Sequence, residues 1–316
     1  MDHRPHATTG VNEGQRLMSH RRRRLIAALL LVSAPCASAA ASDLATRDAV
    51  GHAGRLLATG GASTLEGSAG GGIVPWAVIA GYGTEDQWGG AAFATRVEVR
   101  DYALTSRGVT LGWRNRIEFG VARQSFGLPT LADALSLPTR GFRQDIAHAK
   151  VRLTGDLVYT AMPQLSLGVQ HKTQRDFLVP SLVGARDDSD VDVYLSASKL
   201  FLGAAGGRHL LLNGTLRRTR ANQTGLLGFG GDRDAGAALV GEASAAVLLN
   251  PRWAVGLEYR QKPDNLGFAR EDDWKDVFVG WFPNKRVAVV AAYADLGRIA
   301  SLDDQKGWYV SLQLSH

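Results

Sequence analysis

From about residue 91 to its end, the chain alternates apolar and polar side chains in stretches of roughly ten residues, separated by Gly, Pro, Asn and Asp. The last stretch is the clearest. Trp308, Val310, Leu312 and Leu314 alternate with Tyr309, Ser311, Gln313 and Ser315, which is a strand with one apolar and one polar face. Near the start, Phe93, Val97 and Val99 alternate with Arg96, Glu98 and Arg100. Val109, Leu111 and Trp113 then oppose Thr110, Gly112 and Arg114, and Ile117, Phe119 and Val121 oppose Glu118 and Gly120. Further strands read out around Val151, Leu167, Val193, Leu212, Leu257, Val279 and Val289, and the segment 237–249 fits less cleanly.

The connections alternate as well. Backwards from the C-terminus, the link 295–306 is long and acidic, and Pro283-Asn-Lys285 is tight. A long loop near 263–273 follows, then a tight Asn250-Pro-Arg252, a long 221–234, a short 203–207 and a long 175–190. Long loops on one rim and short turns on the other are the habit of outer-membrane barrels. No run after residue 42 is long and apolar enough for a membrane helix, so a membrane-spanning fold has to be a closed barrel. The pattern predicts an all-β, transmembrane, antiparallel up-and-down β-barrel of about 12 strands over residues 91–316. Fourteen strands remain open if residues 55–66 and 73–82 also pair. The Gly-rich segment 42–90 is then either a plug or linker, or the first strands.

The N-terminus carries an address. Arg21 to Arg24 precede a short apolar core from Leu25 to Val32, and Ala37-Ser-Ala39 offers a cleavage site. Residues 1–41 read as a signal peptide whose natural start is Met18, giving export and a place in the cell outer membrane. The one cysteine, Cys36, falls inside this signal, so the mature chain has no thiol for a disulfide, a metal or a nucleophile. Charge changes with the same cut. Removing six Arg and two acids from the 36 basic and 30 acidic residues leaves 30 against 28, so the net charge of +6 is mostly a targeting feature and nucleic-acid binding loses its basis.

Chemical motifs are sparse. Neither Gly-rich run, 67–72 or 228–231, continues into a phosphate-binding Gly-Lys-Ser/Thr. Asp188, Asp190 and Asp192 have calcium-loop spacing, but Val193 and Lys199 stand where Gly and Glu are required. There is no G-x-S-x-G elbow and no zinc motif, and His171 reads as an interfacial residue. No cofactor and no enzyme activity are expected. The aromatics Trp113, Tyr259, Trp281, Tyr293 and Trp308 fall at lipid parity near strand ends, where interfacial girdles sit.

By the same parity the polar face lines the lumen. It carries Arg96, Glu98, Arg100, Arg114, Arg116, Glu118, Lys150, Arg152, Arg217, Glu258 and Arg260, with Lys172, Lys262, Asp192, Glu242 and Asp276 beside them. A basic surplus along an aqueous path favours anions. The expected function is a porin-like passive channel for small solutes, anionic ones in particular. The alternative is a non-conducting structural barrel or an outer-membrane enzyme, with the Gly-rich segment filling the lumen. Expected partners are outer-membrane lipid, lipopolysaccharide and the barrel-assembly machinery, although the chain ends in His316 and not in the aromatic which that machinery reads.

Several stretches share a further likeness. They include Leu57-Ala-Thr-Gly-Gly-Ala-Ser-Thr-Leu-Glu-Gly67, Ile73-Val-Pro-Trp-Ala-Val-Ile-Ala-Gly-Tyr-Gly83, Gly141-Phe-Arg-Gln-Asp145 and Gly184-Ala-Arg-Asp-Asp-Ser189. Gly225-Leu-Leu-Gly-Phe-Gly-Gly-Asp232, Tyr259-Arg-Gln-Lys-Pro-Asp-Asn-Leu266 and Trp281-Phe-Pro-Asn-Lys285 belong with them. Together they resemble the proteobacterial domain-of-unknown-function family 3034, exported proteins of outer-membrane barrel type. The resemblance implies the class and supplies no reaction, ligand or catalytic residue.

Overall fold

Twelve antiparallel strands close on one another in the computed structural model, which describes residues 55, 57–58, 60–84, 86–268 and 270–316. The export signal read in residues 1–41 lies outside the described residues. Two short strands come first, β1 (Ala62–Ser63) and β2 (Ala69–Gly70), paired only with each other. The barrel follows as β3 (Trp88–Val99), β4 (Ala103–Trp113), β5 (Ile117–Gly127), β6 (Gly141–Thr154), β7 (Gln164–Gln174) and β8 (Ser189–Ala205). It continues as β9 (Arg208–Thr219), β10 (Ala238–Asn250), β11 (Trp253–Arg260), β12 (Trp274–Asn284), β13 (Val287–Asp295) and β14 (Lys306–Ser315). Each strand pairs with its chain neighbour, and β14 returns to β3 with Ser315 opposite Ala91 and Gly307 opposite Val99. His316 completes the seam by exchanging two backbone hydrogen bonds with Gly90, both 2.9 Å. Closure leaves no sheet edge unpaired, which is what lipid demands of a backbone.

Local chemistry sorts the two rims. At β4–β5, Arg114 and Asn115 both have positive φ (54° and 47°), the requirement of a tight primed turn. At β10–β11 and β12–β13 a different device, an asparagine side-chain cap, makes the turn. The Asn250 side-chain oxygen accepts from the backbone N–H of Arg252 and Trp253, and that of Asn284 from Arg286 and Val287. The opposite rim carries the long connections 128–140, 175–188, 220–237, 261–273 and 296–305.

Side-chain parity gives the barrel two surfaces. Leu111, Val121, Leu216, Val277 and Leu314 point outward and are exposed, as a lipid face requires. Trp88 and Trp113 (ring centroids 6.0 Å apart) and the stacked Trp253 and Trp281 mark the short-turn end of this face. Tyr293 and Trp308, 5.2 Å apart, mark the other end. On β11, Trp253 and Tyr259 both point outward; six residues along a strand is about 20 Å, so they bracket the apolar band.

Strand β3 departs from the sequence reading. Phe93 and Val97 are buried inside the barrel, whereas Arg96 and Glu98 are on its outer surface. The reason lies with its inner neighbours. Phe93 packs on Ala122 and Ile146, and Val97 joins the main apolar cluster, so the inner face of β3 borders a packed core and not water. The outer face is left with Gly90, Ala92 and Ala94, too small to have announced a lipid side.

Candidate functional site

Residues 60–81 run through the inside of the barrel, and every one of them is buried. Apart from the β1–β2 pair, this inner segment has little regular structure to satisfy its own backbone. Buried peptide groups must find partners; some pair within the segment, as the N–H of Leu65 does with Gly72 and that of Trp76 with Ala69, and the wall supplies others. The carbonyl of Pro75 accepts from Thr215 (2.9 Å), Asn213 and Ser196 (both 3.3 Å). The Ala77 carbonyl accepts from Gln164 (2.6 Å) and Ser166 (2.5 Å), while the Ala77 N–H donates to Ser198 (2.8 Å). Ser106 and Gln124 donate to Leu65, and Thr110 donates to Gly67. The polar inner face of these strands therefore serves as a fixed set of partners for a buried peptide.

Charged residues pin the segment at three points. Glu118 accepts from the N–H of Ala69 (3.1 Å) and Ala80 (2.8 Å) and pairs with Lys150 at 3.1 Å. Lys150 in turn donates to the carbonyls of Ala69 and Trp76. Glu258 accepts from the N–H of Gly72 (2.5 Å) and Ile73 (2.8 Å). A side chain at position 71 would collide with this carboxylate, so Gly71 is what lets the backbone come so close. The third point is Glu66, with Lys172 at 2.5 Å, Arg260 at 2.9 Å and Arg217 at 3.4 Å. Asp192 and Glu242 complete the group, at 2.7 Å from Lys172 and 2.5 Å from Arg217 respectively, so three cations meet three anions out of water. Arg217 also lies over the Tyr194 ring at 5.0 Å. Removing one member of such a cluster strands an uncompensated charge, at a cost of about 3–5 kcal/mol.

Of the residues assigned by sequence to the lumen, Glu118, Lys150, Arg217, Glu258 and Arg260 converge on this segment. Arg152 points inward at the short-turn end, on Gly155 and Asp156. The others do not converge. Arg96 and Glu98 pair with each other on the outer face (3.0 Å), Arg100 reaches Asp304 on the long-loop rim (2.9 Å), and Arg114 and Arg116 sit at the exposed β4–β5 turn. Asp276 is buried directly opposite Glu258, and neither of its oxygens has a hydrogen-bond partner. Glu66 was missed as a site residue, though a signal existed: it is the sole charged residue between Arg55 and Glu85.

The long-loop end is closed by residues 221–231, which fold inward and are buried. The N–H of Gln223 donates to Glu271, which pairs with Lys262 at 2.9 Å. Burial pushes the Glu271 carboxyl up and the Lys262 amine down, and their mutual pairing opposes both shifts. Two apolar cavities flank the inner segment. One lies by Trp76, Leu211 and Phe278, the other by Ile73, Phe126 and Tyr309; each is about 20 Å³, room for about one water. Among the described residues, no group of three or more His, Cys, Asp or Glu is placed to hold a metal ion.

A closed twelve-strand barrel, an apolar outer band between two aromatic girdles and sorted rims define an outer-membrane β-barrel. More narrowly, the chain belongs to a family described as proteins of unknown function (DUF3034), which matches residues 59–313. Among solved structures it is similar to the KdgM porin, at 10% identity and a TM-score of 0.45 over 72% of this chain and 99% of that one. It is also similar to the outer membrane protein Omp33 of Acinetobacter baumannii, at 8% identity and a TM-score of 0.44 over 74% of this chain and 100% of that one. The NanC porin is similar too, at 9% identity and a TM-score of 0.43 over 72% of this chain and 98% of that one. No curated protein matches the chain.

Proposed function

We propose that this is an outer-membrane barrel closed at rest by its own segment 60–81, acting as a plug and not as an open porin or an enzyme. The observation that carries the reading is the dryness of the mid-lumen wall. Glu118, Lys150, Lys172, Asp192, Arg217 and Glu258 are each no more than 1% exposed, whereas an aqueous path would wet them. The preference for anions loses support as well. Arg96, Arg100, Arg114 and Arg116 lie outside the lumen, and the central cluster around Glu66 is balanced. Planar-bilayer recording of the refolded protein tests this reading. Wild type is expected to show no steady conductance, and Glu66→Gln, which weakens the hold on the plug, is expected to show openings. Steady wild-type conductance would instead restore the passive-channel reading.

A further inference from the structure

The outer surface of the barrel is not uniform at its long-loop end. On β11, β13 and β14 that level is occupied by Tyr259, Tyr293 and Trp308. On β3 to β7 it is occupied by arginines. Arg107 and Arg123 lie six residues from Trp113 and Ile117, the spacing that separates Tyr259 from Trp253, and both are exposed on the outer face. Arg96, Arg143 and Arg175 lie on the same side.

These five arginines face three carboxylates. Asp145 takes both Arg123 (2.6 Å) and Arg175 (2.9 Å), Asp176 takes Arg143 (2.9 Å), and Glu98 takes Arg96 (3.0 Å). Asp145 and Asp176 are about three-quarters covered, whereas the arginine side chains paired with them are more than half exposed. Arg123 and Arg143 are thus held by their aspartates through Nε and Nη2, which leaves Nη1 of each unengaged. Arg107 makes no hydrogen bond or ion pair with any described residue, and in the sheet register it stands directly opposite Arg123. Like charges facing each other across two strands destabilise a sheet unless an anion lies between them. At the level of the membrane interface, the anion to hand is a lipid phosphate, whose oxygens can take the Arg107 fork together with the Arg123 Nη1 that Asp145 leaves unengaged.

We propose that the outer face of β3–β7 is a binding site for a phosphate-bearing lipid of the leaflet on the long-loop side, with Arg107 and Arg123 clamping the phosphate. The acyl chains would lie on the apolar surface below, along Val109, Leu111, Phe119 and Val121, all of which point outward. This site does not depend on whether the lumen conducts.

The test uses the refolded full barrel in detergent, with its fold checked by heat-modifiable migration, and bis-phosphorylated lipid A as the probe. Native mass spectrometry and thermal unfolding should show the lipid bound and the wild-type barrel stabilised. Arg107→Gln/Arg123→Gln should weaken binding about tenfold or more, since the charge-assisted hydrogen bonds to the phosphate are lost. Arg218→Gln, an outward arginine on β9, should leave binding unchanged. Without lipid, Arg107→Gln should fold as well as wild type, because it removes a repulsion. Equal binding of dephosphorylated lipid A, or undiminished binding by the double variant, overturns the proposal. Inorganic phosphate that binds as tightly as the lipid also overturns it, in favour of a free-anion site.

Discussion

Strands β3 and β9 are each 12 residues long, and both alternate inward and outward along their length, yet only one is legible from its polarity. The inner face of β9 is Leu211, Asn213, Thr215 and Arg217, and its outer face has Leu212 and Leu216. The rule of polar inside and apolar outside reads it correctly. The inner face of β3 is Ala91, Phe93, Thr95 and Val97, and its outer face ends in Arg96 and Glu98, so the same rule turns it inside out. The difference lies in what each strand meets in the lumen. Strand β9 faces the peptide groups of the inner segment and the carboxylate of Glu66, which need donors. Strand β3 faces other apolar side chains. A water-filled barrel would impose one polarity on every inner face; a filled one lets each strand match its local neighbour.

The largest expected effect tests the polar side of that contrast. Glu66→Ala leaves Arg217, Arg260 and Lys172 with one anion fewer, at a cost of about 3–5 kcal/mol. Denaturant unfolding in detergent should show the loss. A change below about 1 kcal/mol would mean that the cluster is wet and segment 60–81 only loosely seated.

Nearly as large is Phe93→Ala on the apolar side, where the truncation of a packed ring costs about 3–5 kcal/mol. Were Phe93 facing lipid, as the alternation alone suggests, the loss would be far smaller. One unfolding measurement therefore decides which way β3 faces. Leu212→Arg on β9 comes next. Its side chain is on the lipid face, where an arginine near the bilayer midplane costs about 2–4 kcal/mol, read as a lower yield of assembled barrel. Wild-type yield from that variant would put Leu212 outside the apolar band.

How much was readable follows from the same physics. Strand alternation, rim sorting and the aromatic positions are local consequences of a lipid exterior, and they were legible from Trp308 to Leu314 and at Asn250 and Asn284. Lys172, Asp192 and Glu242 were also placed inward by parity alone. What parity cannot express is pairing across long chain separations. Glu66 meets Lys172 and Arg260 at separations of 106 and 194 residues, and no spacing rule connects them. Nor could the sequence say whether Pro75 and Ala77 would find partners in the wall, because their carbonyls are satisfied by Thr215, Asn213, Ser196, Gln164 and Ser166 from three different strands. Strand β3 failed for a third reason. Its lipid side, Gly90, Ala92 and Ala94, is too weakly apolar to outvote Phe93.

The smallest expected effect is the most discriminating for β3. Arg96→Ala removes a side chain that bonds Glu98 and Thr105 on the outer surface, with about two-fifths of each partner of the ion pair exposed. An ion pair so open to solvent and headgroups contributes about 0–1 kcal/mol, because the gain on pairing is offset by screening and by the ordering of two side chains. Arg217 is the control: the same residue type at 1% exposure, with carboxylates at 2.5 and 3.3 Å, so its truncation strands buried anions at several times that cost. The two alanine variants, unfolded under the same conditions, should therefore be separated by at least about 2 kcal/mol. Equal losses would place Arg96 among buried partners, and β3 would regain the orientation that its alternating charges first suggest.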